Sequence, residues 1–196
     1  MNPEILRLFV AIPISETIRN EISHFQTGLR EMVRGNVVRW TKPEQFHLTL
    51  KFLGNVSIAV VDSLKQSVEA VCKNAQPLKL RVEGIGFFPN ARVPRVIWAG
   101  IKDETGNLAG LQSQIEIATR PFAENSKQEK FSGHATFGRF KKYRQRDIEN
   151  LLKRAQTMSD FVFGCWTARE IQIIRSELSQ NGTRHTVLAA FALGAG

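Results

Sequence analysis

Polar and apolar side chains alternate in a short stretch of this chain, residues 46–52, which reads Phe-His-Leu-Thr-Leu-Lys-Phe. Successive side chains of an extended strand point to opposite faces of its sheet. We therefore expect Leu48 and Leu50 to face a hydrophobic core. His47 and Thr49 would lie together on the opposite face, where a pair of polar side chains can line a surface.

A second copy of this pattern occurs at residues 133–139, which read Gly-His-Ala-Thr-Phe-Gly-Arg. Here Ala135 and Phe137 occupy the apolar positions and His134 and Thr136 the polar ones. Each copy thus carries the sequence His-x-Thr-x. Their placement, one in each half of the chain, predicts two similar lobes that each contribute one histidine and one threonine.

The rest of the chain follows the same two periodicities. Alternation or short apolar runs predict strands, and apolar residues three and four positions apart predict amphipathic helices. The predicted strands are Arg7–Ile12, Val37–Trp40, Leu78–Glu83, Arg95–Ile101, Phe161–Trp166, Arg169–Leu178 and Arg184–Leu193. The predicted helices have apolar stripes within residues 18–32, 60–71, 108–118 and 144–155. We expect Ser15 and Ser57 to cap the first two helices, residues 124–130 to form a polar mobile segment and residues 179–182 to form a hairpin turn.

No long linker, charge block or low-complexity tract divides these elements. The economical prediction is one two-lobed domain over residues 1–196 with an α+β fold. Each lobe would be a mainly antiparallel sheet with helices on its outer face. The two sheets would be pseudo-symmetric and would enclose a central cleft lined by the polar pairs.

Charge and cysteine content narrow the functional class. The chain has 27 Lys and Arg against 18 Asp and Glu, for a net charge of +9, so its partner is expected to be an anion such as nucleic acid or a nucleotide. The alternative is a protein that is basic without having a specific anionic partner.

Cys72 and Cys165 form no CxxC pair, which argues against a disulfide framework or a structural zinc. The only early apolar run, residues 8–12, ends at Pro13, so neither a signal peptide nor a transmembrane helix is predicted. We expect a soluble cytoplasmic monomer.

Two histidines that face one cleft suit general acid–base catalysis, since one can accept a proton while the other donates one near neutral pH. Phosphoester hydrolysis needs such a pair on opposite sides of the phosphate. The hydroxyls of Thr49 and Thr136 could donate to the non-bridging oxygens. Neither copy carries the HExxH spacing or a companion carboxylate, so we expect neither a metal nor a cofactor.

Other interpretations stay open at this point. A single histidine on a strand is more often structural than catalytic, and a threonine in a strand is commonly an ordinary β-former. A non-catalytic RNA- or nucleotide-binding module would explain the positive charge, with Phe87, Phe88 and Trp98 available for stacking on bases. We expect His24 to be a solvated or interfacial helix residue and His185 to be structural or peripheral, although His185 could border the cleft.

The sequence resembles the bacterial and archaeal RNA 2′,3′-cyclic phosphodiesterases of the two-histidine phosphoesterase superfamily, first described as 2′-5′ RNA ligases. The resemblance covers nearly the whole chain. It rests on residues 7–12, 38–54, 96–100, 134–139 and 170–176. It implies hydrolysis of a terminal RNA 2′,3′-cyclic phosphate to a 2′-phosphomonoester, with reversible 2′-5′ ligation as a further possibility and with tRNA fragments or cyclic nucleotides among the candidate substrates.

The resemblance also implies roles for individual residues. His47 would be the proton donor, His134 the proton acceptor, and Thr49 and Thr136 the phosphate-binding residues. Arg139 matches a basic position after the second motif, yet simple alternation places it opposite His134, and a β-bulge at Gly138 would reconcile the two. Lys51 shares the face of His47 by alternation and is a further substrate-binding candidate.

Two positions depart from the family pattern. Phe137 stands where the family usually has Leu, a substitution on the core face that should leave the polar face unchanged. His185 stands where the family often has Tyr after the final turn. An aromatic contact from a tyrosine at that position would therefore be missing or replaced.

Overall fold

The computed structural model describes residues 4–124, 131–179 and 182–194. Its strands and helices in chain order are β1 (Ile5–Pro13), α1 (Glu16–Glu31), β2 (Val38–Trp40), β3 (His47–Ser57), α2 (Val61–Lys73), β4 (Leu78–Phe88), β5 (Val96–Asp103), α3 (Leu108–Thr119), β6 (His134–Phe140), α4 (Gln145–Gln156), β7 (Val162–Ala168), β8 (Glu170–Ser179) and β9 (Gly182–Ala192). Every predicted strand and helix is present.

The strands form two antiparallel sheets, each of which holds one His-x-Thr-x strand. The first sheet has the order β3-β1-β8-β9, and the second has the order β2-β6-β5-β4-β7. All neighbouring strands run antiparallel. The predicted α+β class with one motif strand in each of two antiparallel sheets is confirmed.

The helices cover the two sheets in pairs. Helices α2 and α3 pack against β3, β8 and β9, whereas α1 and α4 pack against β7 and β4. Helix α1 shows how its sequence dictates this burial, since Ile18, Ile22 and Leu29 recur on one face and all three are buried. Most buried residues of both sheets belong to one continuous core, and this core fixes the two motif strands relative to each other. Phe9, Ala11 and Ile174 of the first sheet form a separate small cluster.

The predicted helix caps differ in outcome. Ser57 accepts a hydrogen bond from the backbone N–H of Ala59 and caps the short 3₁₀ turn that leads into α2. Ser15 occupies the cap position of α1, but its side chain makes no capping hydrogen bond.

Strands β8 and β9 pair as far as Ser179 and Gly182, as expected of a hairpin. The turn residues 180–181 and the segment 125–130 lie outside the described residues.

Candidate active site

The two motif strands share an irregularity that simple alternation does not anticipate. Between β1 and β3, Ala11 pairs with Thr49 and Val10 pairs with Lys51, so that one residue of β3 has no partner. Between β5 and β6 the register likewise passes from Thr136 to Gly138. Each strand therefore contains a β-bulge directly after its threonine, and two successive residues there face away from the cleft.

The bulge in β3 moves Lys51 off the face of His47. Lys51 is only 8% exposed, and its Nζ lies 2.6 Å from Oε1 of Glu116 on α3, which is also buried. The prediction that Lys51 shares the face of His47 and Thr49 is therefore wrong. Its ammonium group instead forms an ion pair inside the protein, between the first sheet and the helix that covers it.

The bulge in β6 has the opposite consequence for Arg139. Phe137 and Gly138 are both buried, and Arg139 is exposed, so Arg139 returns to the face of His134. Its positive charge lowers the pKa of His134 and of His47. Arg139 is expected to reach the cleft only if β6 has a bulge at Gly138, and that bulge is present.

Close packing explains why glycine occupies the second bulge. A Cβ atom at Gly138 would lie 2.8 Å from Cγ1 of Val38 on β2, which is closer than real contacts allow. The side-chain amide of Gln26 on α1, itself buried, donates hydrogen bonds to the carbonyl oxygens of Phe137 at 2.9 Å and Thr41 at 2.8 Å. The same carbonyl oxygen of Phe137 also accepts from the backbone N–H of Thr41 at 2.8 Å, so helix α1 and the segment that follows β2 both hold the bulge in place.

Both histidines are held in the same orientation by their own strands. Nδ1 of His47 lies 2.7 Å from the carbonyl oxygen of Gln45, and Nδ1 of His134 lies 2.7 Å from that of Ser132. A carbonyl oxygen can only accept, so each Nδ1 carries the proton and donates it. Each Nε2 is therefore free of its own backbone and available for proton transfer.

His47 is enclosed by two other rings. The ring of Phe9 on β1 lies 4.8 Å from the imidazole, and the ring of His185 on β9 lies 5.4 Å from it. Burial is the main reason why the pKa of His47 falls to about 4, against a partly compensating hydrogen bond to Gln45. The positive charges of His185, His134 and Arg139 lower it further. His47 is thus neutral at pH 7 in the free protein.

His134 has a different aromatic environment. Phe88 at the end of β4 meets it edge to face at 4.9 Å, and Trp98 on β5 lies 6.1 Å away. The indole of Trp98 lies on the backbone of Gly86, where a Cβ atom would come within 2.2 Å of the indole carbons. Burial lowers the pKa of His134, as does the charge of Arg139, while the hydrogen bond to Ser132 raises it.

The predicted residues are brought together across the two sheets. Strands β3 and β6 contact each other, and the charge of His134 acts on His47. Thr49 and Thr136 follow their histidines by two positions, and both side chains are partly exposed. The two imidazoles, the two threonine hydroxyls and the Arg139 guanidinium thus belong to two strands that contact each other, β3 and β6.

His185 is the residue whose position the sequence did not reveal. The prediction favoured a structural or peripheral role, yet its ring lies in contact distance of Phe9 at 5.1 Å and beside His47. Its Nδ1 is buried and has no hydrogen-bond partner among the described residues. No local pattern signals this position, because it depends on β8 pairing with β1 on one side and with β9 on the other. His24, in contrast, is exposed on α1 as expected.

Two further observations concern the described residues only. His, Cys, Asp and Glu side chains nowhere gather in a group of three that could hold a metal ion. Within the same ranges, none of the helices has the length and hydropathy needed to cross a membrane.

Comparison with known sequences places this chain in a family. The family model described as LigT like phosphoesterase matches residues 12–98. The RNA 2′,3′-cyclic phosphodiesterase of Methanocaldococcus jannaschii is 31% identical over 185 residues, which cover 93% of this chain and 98% of that protein. The chain belongs to the RNA 2′,3′-cyclic phosphodiesterase family. The family member from Aquifex aeolicus is 27% identical over 194 residues, with 97% and 99% of the two chains covered.

Solved structures agree with this membership of the RNA 2′,3′-cyclic phosphodiesterase family. A crystal structure from Thermus thermophilus superposes with a TM-score of 0.79 at 26% identity and covers 96% of this chain and 98% of its own. Escherichia coli LigT complexed with 3′-AMP has the same fold, with a TM-score of 0.76 at 23% identity over 97% and 99% of the two chains. The fold and the family predicted from the sequence are both confirmed.

Proposed function

We propose that this protein hydrolyses RNA 2′,3′-cyclic phosphate ends to 2′-phosphomonoesters by metal-independent acid–base catalysis with His47 and His134. The observation that carries the proposal is the matched orientation of the two imidazoles. Each is fixed through Nδ1 by its own backbone carbonyl, and each leaves Nε2 for the substrate. Membership of a phosphodiesterase family supports the reaction class. Since the site needs both sheets, residues 1–196 would act as one two-lobed domain.

The reaction requires one proton to be taken up and one to be given. Nε2 of His134 accepts a proton from water as the water oxygen forms a bond to phosphorus. The bond from phosphorus to the 3′ oxygen breaks, and that oxygen receives a proton from Nε2 of His47. The products are a free 3′-hydroxyl and a 2′-phosphomonoester, and proton exchange with water resets both rings. A cyclic phosphate of this kind requires a 2′-hydroxyl, so the substrate is RNA rather than DNA.

Because the pKa of His47 is low in the free protein, the bound substrate must itself raise that pKa before His47 can donate a proton. At about 4, this pKa leaves Nε2 of His47 without a proton to donate at neutral pH in the free protein. A phosphate anion between the two lobes favours the charged imidazolium and raises this pKa. His47 then becomes a proton donor when substrate is bound. Thr49, Thr136 and Arg139 would hold the non-bridging oxygens, where negative charge must be stabilised.

The test is turnover of an RNA oligonucleotide that ends in a 2′,3′-cyclic phosphate, with a chelator present throughout. We expect a 2′-phosphate end as the product. His47→Ala or His134→Ala should each lower kcat by about 1,000-fold, because a positioned acid or base contributes roughly 10² to 10⁴ in rate.

His24→Ala is the matched control, since this exposed histidine lies on the outer helix α1 and should leave turnover unchanged. Full activity of either cleft variant would contradict the two-histidine mechanism. Tight RNA binding that both variants retain, with no turnover by the wild type, would instead favour a non-catalytic RNA-binding module.

A further inference from the structure

A basic cavity lies at the end of β6 that is remote from His134. It has a volume of about 620 Å³ and is formed by the loop between β4 and β5 together with the segment that follows β6. The side chains that define its character are four cations and two aromatic rings, namely Arg92, Arg95, Lys141, Lys142, Phe140 and Tyr143. None of the residues just described has a role in the acid–base chemistry proposed above.

The two segments that form the basic cavity are joined by direct hydrogen bonds. The backbone N–H of Phe140 donates to the carbonyl oxygen of Arg95 at 2.9 Å. The hydroxyl of Tyr143 donates to the carbonyl oxygen of Pro94 at 3.1 Å. The cations on the two segments are therefore held close together by the fold itself.

The positive charges of the basic cavity are not neutralised by nearby acids. Over the described ranges, no carboxylate lies within 4.0 Å of Arg92, Arg95 or Lys142. Lys141 donates to the amide oxygen of Asn36 at 2.9 Å, which leaves its charge in place. Like charges gathered without partners repel one another, so this surface gains free energy when it binds an anion.

Strand β6 connects the basic cavity to the histidines. Arg139 immediately precedes Phe140 and pairs across strands with Arg39 of β2. Directly opposed residues project from the same face of a sheet, and like charges in that position destabilise the pair. From His134 to Phe140 the strand spans about 20 Å at roughly 3.3 Å per residue. Arg139 and Arg39 therefore add positive charge beside the cavity, which lies more than the length of one nucleotide from His134.

We propose that the basic cavity binds backbone phosphates of the substrate RNA on the 5′ side of its terminal cyclic phosphate. The cyclic phosphate occupies the 3′ end, so the rest of the RNA must leave the cleft from that nucleotide in one direction, and Arg139 with its cross-strand neighbour Arg39 supplies positive charge on the side of the basic cavity. The partly buried rings of Phe140 and Tyr143 also line the cavity, and surfaces for single-stranded nucleic acid commonly combine aromatic rings with positive charge. This inference rests on the proposed function and extends it to RNA chains longer than a single nucleotide.

The test compares kcat/KM for a 2′,3′-cyclic mononucleotide and for a hexanucleotide that ends in a 2′,3′-cyclic phosphate. We expect the wild type to favour the hexanucleotide by about 10-fold or more, and the double variant Arg95→Ala/Lys142→Ala to lose most of that ratio. The slope of log kcat/KM against log salt for the hexanucleotide should also fall by about 1.4, since each single-strand phosphate contact contributes roughly 0.7.

The matched control is Lys65→Ala/Lys73→Ala, which removes the same charge from helix α2 on the outside of the first sheet. This variant should keep the wild-type ratio. An unchanged ratio in Arg95→Ala/Lys142→Ala would overturn the inference, as would an equal loss in the control.

A binding measurement separates this inference from the proposed function. Fluorescence anisotropy with a labelled hexanucleotide that carries a 2′-phosphate end needs no turnover. If the wild type hydrolyses nothing, the proposed reaction fails, while weaker RNA binding by Arg95→Ala/Lys142→Ala still supports the cavity as an RNA site. If that variant loses ATP binding but keeps full RNA affinity, the cavity is a nucleotide site and the assignment to RNA is wrong.

Discussion

The two motif strands, β3 and β6, build the same local arrangement and place it in different surroundings. Both orient a histidine through the carbonyl oxygen two residues upstream, and both contain a bulge after the threonine. They differ at the positions that follow. Lys51 in an ion pair corresponds to Gly138, and exposed Phe52 corresponds to Arg139. The repeated residues fix geometry, and the unrepeated ones place different charges directly after the two bulges.

The largest difference between the strands is the buried charge of β3. Lys51→Ala leaves the carboxylate of Glu116 buried without its partner, and breaking such a pair commonly costs about 3 to 5 kcal/mol. We expect a loss of that order in the free energy of unfolding, measured by urea denaturation at pH 7. The double variant Lys51→Met/Glu116→Leu should be close to the wild type, because apolar replacements of both partners leave no unpaired charge.

Activity of the folded fraction decides between the two interpretations of Lys51. The structural role requires that Lys51→Met/Glu116→Leu turns over substrate at nearly the wild-type rate. A stable Lys51→Ala protein with a raised KM would restore Lys51 as a substrate-binding residue.

The second difference concerns acid stability. The pKa of His47 is about 4 in the folded protein and about 6.5 when unfolded. The unfolded state therefore binds more protons between these values, and the stabilisation present above pH 6.5 is lost as the pH falls towards 4. Between pH 7 and pH 4.5 the wild type should lose roughly 2 to 3 kcal/mol that His47→Gln does not lose, as measured by urea denaturation.

His134→Gln provides the comparison within the same molecule. Burial also lowers the pKa of His134, but to a lesser extent, so its effect should have the same sign and a smaller size. Equal acid sensitivity in the wild type and in His47→Gln would show that His47 is not enclosed as described.

The third difference lies directly after the bulges. Arg139→Ala removes a cation from the cleft and should lower kcat/KM by about 10-fold, since a hydrogen bond to a charged group contributes roughly 1.5 to 3 kcal/mol. It should also raise the pKa of both histidines, because the charge of Arg139 lowers them. The pH dependence of kcat/KM measures both effects.

Phe52→Ala is the control at the corresponding position of β3. The ring of Phe52 is 64% exposed, and its removal should change kcat/KM by less than about twofold. Equal losses in the two variants would mean that the positions contribute shape rather than charge. Arg139→Lys should retain the effect on the histidine pKa values while losing part of the phosphate contact.

These bulges mark the limit of what the sequence can predict. Alternation correctly assigns Leu48 and Leu50 to the core and leaves His47 on the opposite face. It fails for Lys51 because a bulge is a feature of the pairing between two strands. The sequence of one strand alone does not show where its partner's register shifts. Arg139 shows the same dependence. Its place in the cleft could be stated only as a condition, and the pairing of β5 with β6 satisfied that condition.

Neighbours across strands are even less accessible from the sequence. Phe9 and His185 are far apart in the chain. They meet His47 only because β1 pairs with both β3 and β8, and β8 in turn pairs with β9. Helices and strands follow from local periodicity. The order of strands in a sheet follows from the packing of the whole core, which no local pattern contains.

The smallest effect is expected from substitution of His185, the neighbour of His47 on β9. His185 lies 5.4 Å from His47, and its positive charge lowers the pKa of His47. Burial also lowers the pKa of His185 itself, so it carries little charge at neutral pH. His185→Phe should therefore change kcat by less than about threefold and raise the pKa that governs His47 by less than about one unit, because the ring that is lost is mostly neutral. His185→Tyr, which introduces the residue common in the family, should behave alike unless its hydroxyl reaches the phosphate, and in that case KM alone should fall. A loss of kcat as large as that of His47→Ala would instead make His185 a third partner in proton transfer, and the asymmetry between the two lobes would extend to the chemistry itself.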